Sequence, residues 1–182
     1  MSEANGGRIA WAITGSGHYL KECLALAGEL PGLDLFLSEA AAEVLHSYGQ
    51  PVKALKDRFR VFRDTTASAP PVGLFYAGLY ELLVVAPATS NSVAKMVWGI
   101  SDTLVTNVYA QAGKCRVPSI VFACDVAPEM DTQAPGGMVK VFPRRIDLEN
   151  TERLRDMEHT RVVTSLDELR SALPSCRKSS SF

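Results

Sequence analysis

A chain of 182 residues, 47% of them apolar, can bury one full core, and dividing it in two would leave each half too small. Its 19 basic and 20 acidic residues are interspersed, and a net charge of −1 offers no basic face to nucleic acid or an anionic membrane. Cys23, Cys115, Cys124 and Cys176 show no CxxC spacing, which argues against iron–sulfur clusters and structural zinc, predicts no metal, and suits a reduced, cytoplasmic setting.

Residues 1–7 are polar, lack the apolar core of a signal peptide, and read as a flexible N-terminus. No run approaches the roughly 20 apolar residues of a membrane span, so a soluble chain is expected. Ile9 to Ile13 has the length and β-branched ends of a buried parallel strand. The turn that follows, Thr14-Gly15-Ser16-Gly17, reads as a phosphate cradle. Its glycines let the backbone approach a ligand, N–H groups at the next helix start face an anion, and Thr14 and Ser16 add hydroxyls. The same residues also suit any tight strand-to-helix turn of an α/β domain. A dinucleotide fingerprint fits poorly, because its third glycine falls at Leu20 and the second strand ends in Ser38 where an acid is expected, with Glu39 one residue on. A mononucleotide phosphate suits the stretch better.

His18 to Leu30 is predicted as a helix stopped by Pro31-Gly32, and Leu33 to Leu37 as the second strand. Ser38 caps a helix carrying the stripe Ala40, Ala41, Val44, Leu45 and Tyr48. This strand–helix–strand–helix order predicts a parallel sheet wound with helices. Arg58 to Phe62 is a short strand, Val72 to Gly78 a short helix, and Glu81 to Ala86 a second central strand. That strand leads into the polar turn Pro87-Ala-Thr-Ser-Asn91-Ser, ahead of a helix from Val93 to Gly99. In a doubly wound sheet, ligands sit at the carboxyl ends of neighbouring strands, so this turn and the first can face one pocket. Ser101-Asp-Thr103 opens a helix from Leu104 to Ala112, and Pro118 to Ala123 is a strand ending in Cys124-Asp125.

Val126 to Gly137 reads as a mobile loop or flap of ~12 residues, a length that points to function. Met138 to Pro143 is a strand, Leu148 to Met157 a charged helix, Arg161 to Thr164 a strand, and Leu166 to Leu173 a helix capped by Ser165. The domain is expected to span residues 8–173, followed by a disordered Ser/Lys-rich tail, 174–182.

Four stretches taken in order, Ile13-Thr-Gly-Ser-Gly17, Ala86-Pro-Ala-Thr-Ser-Asn91-Ser-Val-Ala-Lys95, Gly99-Ile-Ser-Asp102-Thr-Leu and Pro128-Glu-Met130, resemble the homo-oligomeric flavin-containing cysteine decarboxylase superfamily. Ile-Thr-Gly-Ser-Gly-His18 and Arg145-Ile-Asp-Leu-Glu-Asn150 look most like its archaeal-type flavoproteins and acceptor-type dihydromethanopterin reductases. The resemblance implies a Rossmann-like or flavodoxin-like α/β domain, and FMN bound between subunits of a homo-oligomer built from trimers. It places Thr14, Gly15, Ser16, Gly17 and Ser38 at the phosphate or ribityl chain, and Ala86, Thr89, Ser90 and Asn91 along the flavin. Ser101, Asp102, Thr103, Leu104 and Thr106 would add contacts from the same or a neighbouring subunit, and Cys124 the far edge. Where the decarboxylases carry Pro-Ala-Ser-Ala-Asn-Thr, Pro87-Ala-Thr-Ser-Asn91-Ser keeps the Asn and its hydroxyl flanks, but their Pro-x-Met-Asn is here Pro128-Glu-Met130-Asp131 and their basic His has no clear counterpart, so cysteine decarboxylation is not expected.

The resemblance points to an FMN-dependent oxidoreductase that reduces a dihydropterin, dihydromethanopterin to tetrahydromethanopterin, with electrons from NAD(P)H or another donor. A non-enzymatic FMN electron carrier is the alternative; a flavin-dependent decarboxylase or flavin prenyltransferase comes after it. No catalytic acid or base is identified. His18 either meets phosphate or faces solvent, Asp102 either bonds a ligand or merely complements a helix dipole, and Cys124 either neighbours flavin or is an inert buried thiol. Trp11 and Trp98 are expected in the core. Lys140, Arg144 and Arg145 either attract a phosphorylated substrate or are solvated.

Overall fold

The computed structural model describes residues 7–66 and 68–174. The segment 1–7, expected to be a flexible N-terminus, and 174–182, expected to be a disordered tail, lie outside the described residues except at Gly7 and Pro174.

In chain order the elements are β1 (Arg8–Ile13), α1 (Leu20–Glu29), β2 (Leu33–Leu37), α2 (Glu39–Ser47), α3 (Val52–Lys56) and β3 (Arg60–Arg63). A 3-10 turn (Pro70–Val72) precedes α4 (Gly73–Tyr76), β4 (Tyr80–Ala88), α5 (Ser90–Val97), α6 (Leu104–Lys114) and β5 (Ser119–Ala123). β6 (Met130–Ala134), β7 (Gly137–Val141), α7 (Arg145–Arg155), β8 (Thr160–Val163) and α8 (Leu166–Ala172) complete it.

Six parallel strands lie in the order β3-β2-β1-β4-β5-β8, which is the Rossmann arrangement of the doubly wound class. β1 and β4 are buried on both faces, which is why they read as continuous apolar runs. Side chains alternate across the sheet. Ile9, Trp11 and Ile13 pack with Leu24 of α1, Leu45 of α2 and Leu169 of α8, while Ala10 and Ala12 face Met96 of α5, Val108 of α6 and Leu154 of α7. Trp11 is fully buried and its Nε1–H donates to the Ala86 carbonyl at 2.8 Å. Trp98, expected in the core, instead lies 62% exposed beneath the Arg153 guanidinium, 5.3 Å from its ring centre.

Three further expectations are corrected. α1 begins at Leu20 rather than His18, because Tyr19 takes a left-handed conformation (φ 52°) to turn the chain out of the glycine bend. α5 begins at Ser90 rather than Val93, because the Thr89 hydroxyl accepts the Ser92 N–H at 3.2 Å, so the polar stretch is the helix start itself. Most of the expected flap, 126–137, is an antiparallel hairpin of β6 and β7 turning at Pro135-Gly136, paired from Met130 with Val141 to Ala134 with Gly137. No helix among the described residues is long and apolar enough to cross a membrane.

Candidate functional site

The strand order reverses between β1 and β4, and ligands of open α/β sheets collect beyond the carboxyl ends of strands at such a reversal. The Thr14–Gly17 and Thr89–Asn91 turns leave the sheet there. They are joined directly: the Thr14 hydroxyl donates to the Pro87 carbonyl at 2.8 Å and accepts the Thr89 N–H at 2.9 Å, while the Thr14 N–H also reaches Pro87 O at 3.2 Å. Thr14 is 1% exposed, so its hydroxyl braces the two turns rather than facing the cleft. Thr14→Val removes that brace and leaves the Thr89 N–H unpaired. A loss of ~1–3 kcal/mol is expected, read as a lower midpoint of urea unfolding.

Beyond the brace lies a cleft of about 260 Å³ lined by Gly15, Ser16, Gly17, His18, Tyr48, Thr89, Cys124, Asp125 and the hairpin residues Met130, Thr132, Gln133, Ala134 and Val141. Among the described residues the Gly15 and Gly17 N–H groups have no hydrogen-bond partner, nor do those of Ser90 and Asn91 in the first turn of α5. These are free donors of the kind an anion takes up. At Gly15 an added Cβ would stand 2.7 Å from the Ala40 Cβ, so the bend presses against the start of α2. Ser38 accepts the Ala41 N–H at 3.0 Å, and its own proton is free to donate.

Charge in the cleft comes from Asp125, whose carboxylate accepts the Ser90 hydroxyl at 2.5 Å beside the amino end of α5. Among the described residues no lysine or arginine lines it. Burial holds the His18 imidazole below its ordinary pKa despite the opposing pull of Asp125 and Glu22, so it is neutral at neutral pH. Burial likewise pushes the Cys124 thiol up to about 12, leaving an uncharged wall at the end of β5.

The remaining expected residues fall elsewhere. Ala86 is fully buried, and Asn91 is exposed at the start of α5 with its side chain unbonded among the described residues. Thr103 and Thr106 cap α6 reciprocally, Leu104 is buried with its N–H donating to Asp64 Oδ2 at 2.9 Å, and Asp102 pairs with Lys95 Nζ at 2.8 Å. Ser101 and Thr106 line a different cleft, of about 400 Å³, with Lys95, Tyr109 and His159. One copy of the chain therefore does not gather both groups into one cleft. Tyr48, Asp125, Thr132 and Gln133 were missed as site residues; only the position of Asp125 at a strand's carboxyl end gave a signal.

A family model described as Flavoprotein matches residues 1–178. An uncharacterised protein of Methanocaldococcus jannaschii is 37% identical over 91% of this chain and 94% of its own length. The acceptor-type dihydromethanopterin reductase of Methanosarcina mazei is 40% identical over 70% of this chain, which spans 59% of that relative's length. Among solved structures, DmrB of Burkholderia xenovorans in complex with FMN, described as a cubic protein cage for redox transfer, is 56% identical. Its TM-score is 0.87, over 93% of this chain and 94% of that one. FMN-dependent and related decarboxylases, at identities of 22% and 17%, share the fold alone.

Proposed function

This chain belongs to the Flavoprotein family, and from that membership we propose that it binds FMN at the β1/β4 cleft and is an FMN-dependent reductase. Its substrate in this reading is a dihydropterin, dihydromethanopterin, which gains a hydride and a proton to become the tetrahydro form, with electrons from NAD(P)H or another donor. Likeness to a reductase of that name and to a protein solved with FMN supports the assignment. The observation that carries it is the pair of free glycine N–H groups at the strand reversal, braced against a second donor-bearing turn.

FMN supplies the hydride chemistry when bound; the chain binds and orients it. The Gly15 and Gly17 N–H groups and the Ser16 and Ser38 hydroxyls would hold the phosphate and ribityl chain. The amino end of α5, with Ser90 and Asn91, would place partial positive charge where electron density rises on reduction. Thr89 would back the ring and Cys124 close its edge, with the buried Ala86 behind them.

Assembly of copies completes this reading, with Ser101, Asp102 and Thr103 at the accessible start of α6 reaching a neighbour's flavin within a trimer and the buried Leu104 and Thr106 fixing that start from behind. Trp98 and Ile100 are exposed near the 400 Å³ cleft, and Met138, Val139 and Phe142 on the hairpin side. Monomers rarely leave such apolar surface uncovered.

The test is the absorption spectrum of the purified protein, followed by anaerobic titration with NADPH and reoxidation by dihydropterin. Flavin bands that bleach and return are expected. A colourless protein that takes up no added FMN overturns the reading, and reduction only through a protein donor favours an electron carrier. Asn91→Ala should lower flavin content or alter its potential; an unchanged spectrum and content count against that residue.

A further inference from the structure

We propose that Tyr48 and His18 are positioning residues that hold the β6–β7 hairpin as the outer wall of the cradle and so set how fast a mononucleotide leaves it. The ligand in this inference rests on the FMN reading, whereas the wall itself does not.

The hairpin is a two-stranded sheet of its own, with no strand pairing to the six-stranded sheet among the described residues. It meets the cradle through two side-chain contacts on neighbouring residues of β6. The Tyr48 hydroxyl donates to the Gln133 carbonyl at 2.6 Å, and His18 Nδ1 shares a hydrogen bond with the Thr132 hydroxyl at 2.8 Å. Tyr48 crosses directly over the bend: a Cβ on Gly17 would lie 2.0 Å from its hydroxyl oxygen.

These contacts also form a partition. On one side is the 260 Å³ cleft, and on the other an outer cleft of about 280 Å³ reached by Lys21, Glu22 and Asp131; Gly17, His18, Tyr48 and Gln133 line both. Release of the partition joins the two clefts into one groove, which opens a way out of the inner cleft. A mononucleotide anchored on the Gly15 and Gly17 N–H groups therefore enters and leaves past Tyr48 and His18. One latch hydrogen bond is worth about fivefold in the opening equilibrium.

Tyr48→Phe removes one latch and keeps the ring; Thr132→Val removes the other from the hairpin side. Two quantities are read: amide hydrogen exchange of residues 130–141 in flavin-free protein, and the dissociation rate of FMN from loaded protein. Each variant should raise both by about fivefold and the double variant further, with exchange in β1 and β4 unchanged. Hairpin exchange unchanged in both variants overturns the proposal. Faster exchange with an unchanged FMN dissociation rate overturns the gate. Faster exchange in a protein that takes up no FMN upholds the wall and overturns the FMN assignment instead.

Discussion

Gly17→Ala is expected to weaken FMN binding, by up to about a hundredfold. The new Cβ would lie 2.0 Å from the Tyr48 hydroxyl oxygen and 2.3 Å from the adjoining ring carbon, far inside contact distance. Tyr48 must rotate away, which breaks its bond to the Gln133 carbonyl, or the bend must shift and misplace the glycine N–H donors. Overpacking of this kind costs ~1–3 kcal/mol, and the part of it borne by the flavin-bound form converts at 1.4 kcal/mol per tenfold. Fluorescence titration of FMN into flavin-free protein measures it. Undiminished affinity would show that the bend and Tyr48 are not rigidly opposed. Truncating Tyr48 to alanine in the Gly17→Ala background should restore part of the loss.

The second large effect lies at the opposite, amino ends of the strands. Asp34 in β2 is fully buried, and its carboxylate accepts the Tyr80 hydroxyl at 2.7 Å and Arg8 Nε at 3.2 Å, with a second contact from the Arg8 terminal nitrogen. Arg60 NH1 stands 3.9 Å away. One side chain thus joins the first residues of β1, β3 and β4 to β2. Burial and the neighbouring carboxylate push the Tyr80 phenol well above its ordinary range, so it remains a donor at any working pH. Asp34→Asn removes the charge and turns an amide N–H₂ toward donors. A loss of ~2–3 kcal/mol is expected, at the lower end for a buried pair because Arg8 is partly solvated. The unfolding midpoint in urea should fall while FMN content stays unchanged. An unmoved midpoint would mean the cluster is held up by water.

What the sequence made legible follows from how each residue is used. β1 and β4 announced themselves because both faces are buried, and Ser38 and Ser165 because capping needs a hydroxyl at one place. The hairpin did not: β6 is Met-Asp-Thr-Gln-Ala, half-buried at best, with no apolar alternation to mark a strand. α3 escaped notice because five residues after Pro51 bury one leucine. The left-handed Tyr19 gave no warning, since that conformation usually falls to glycine or asparagine. At the site, both turns and their free N–H groups could be read locally. The use of Thr14 as a brace could not, because its partners lie 73 and 75 residues away. Tyr48 was placed on an apolar helical stripe, and only the fold shows its hydroxyl lying over Gly17.

Because Thr14 binds the two strand-tip turns to each other, their separation tolerates neither insertion nor deletion in either one. The opposite lip of the cleft is a self-paired ribbon that no strand pairing ties to the sheet among the described residues and that the cradle holds by the Tyr48–Gln133 and His18–Thr132 hydrogen bonds. New specificity can therefore be written into residues 130–141 alone, by exchange of side chains or a change in ribbon length, while the sheet and its grip stay as they are.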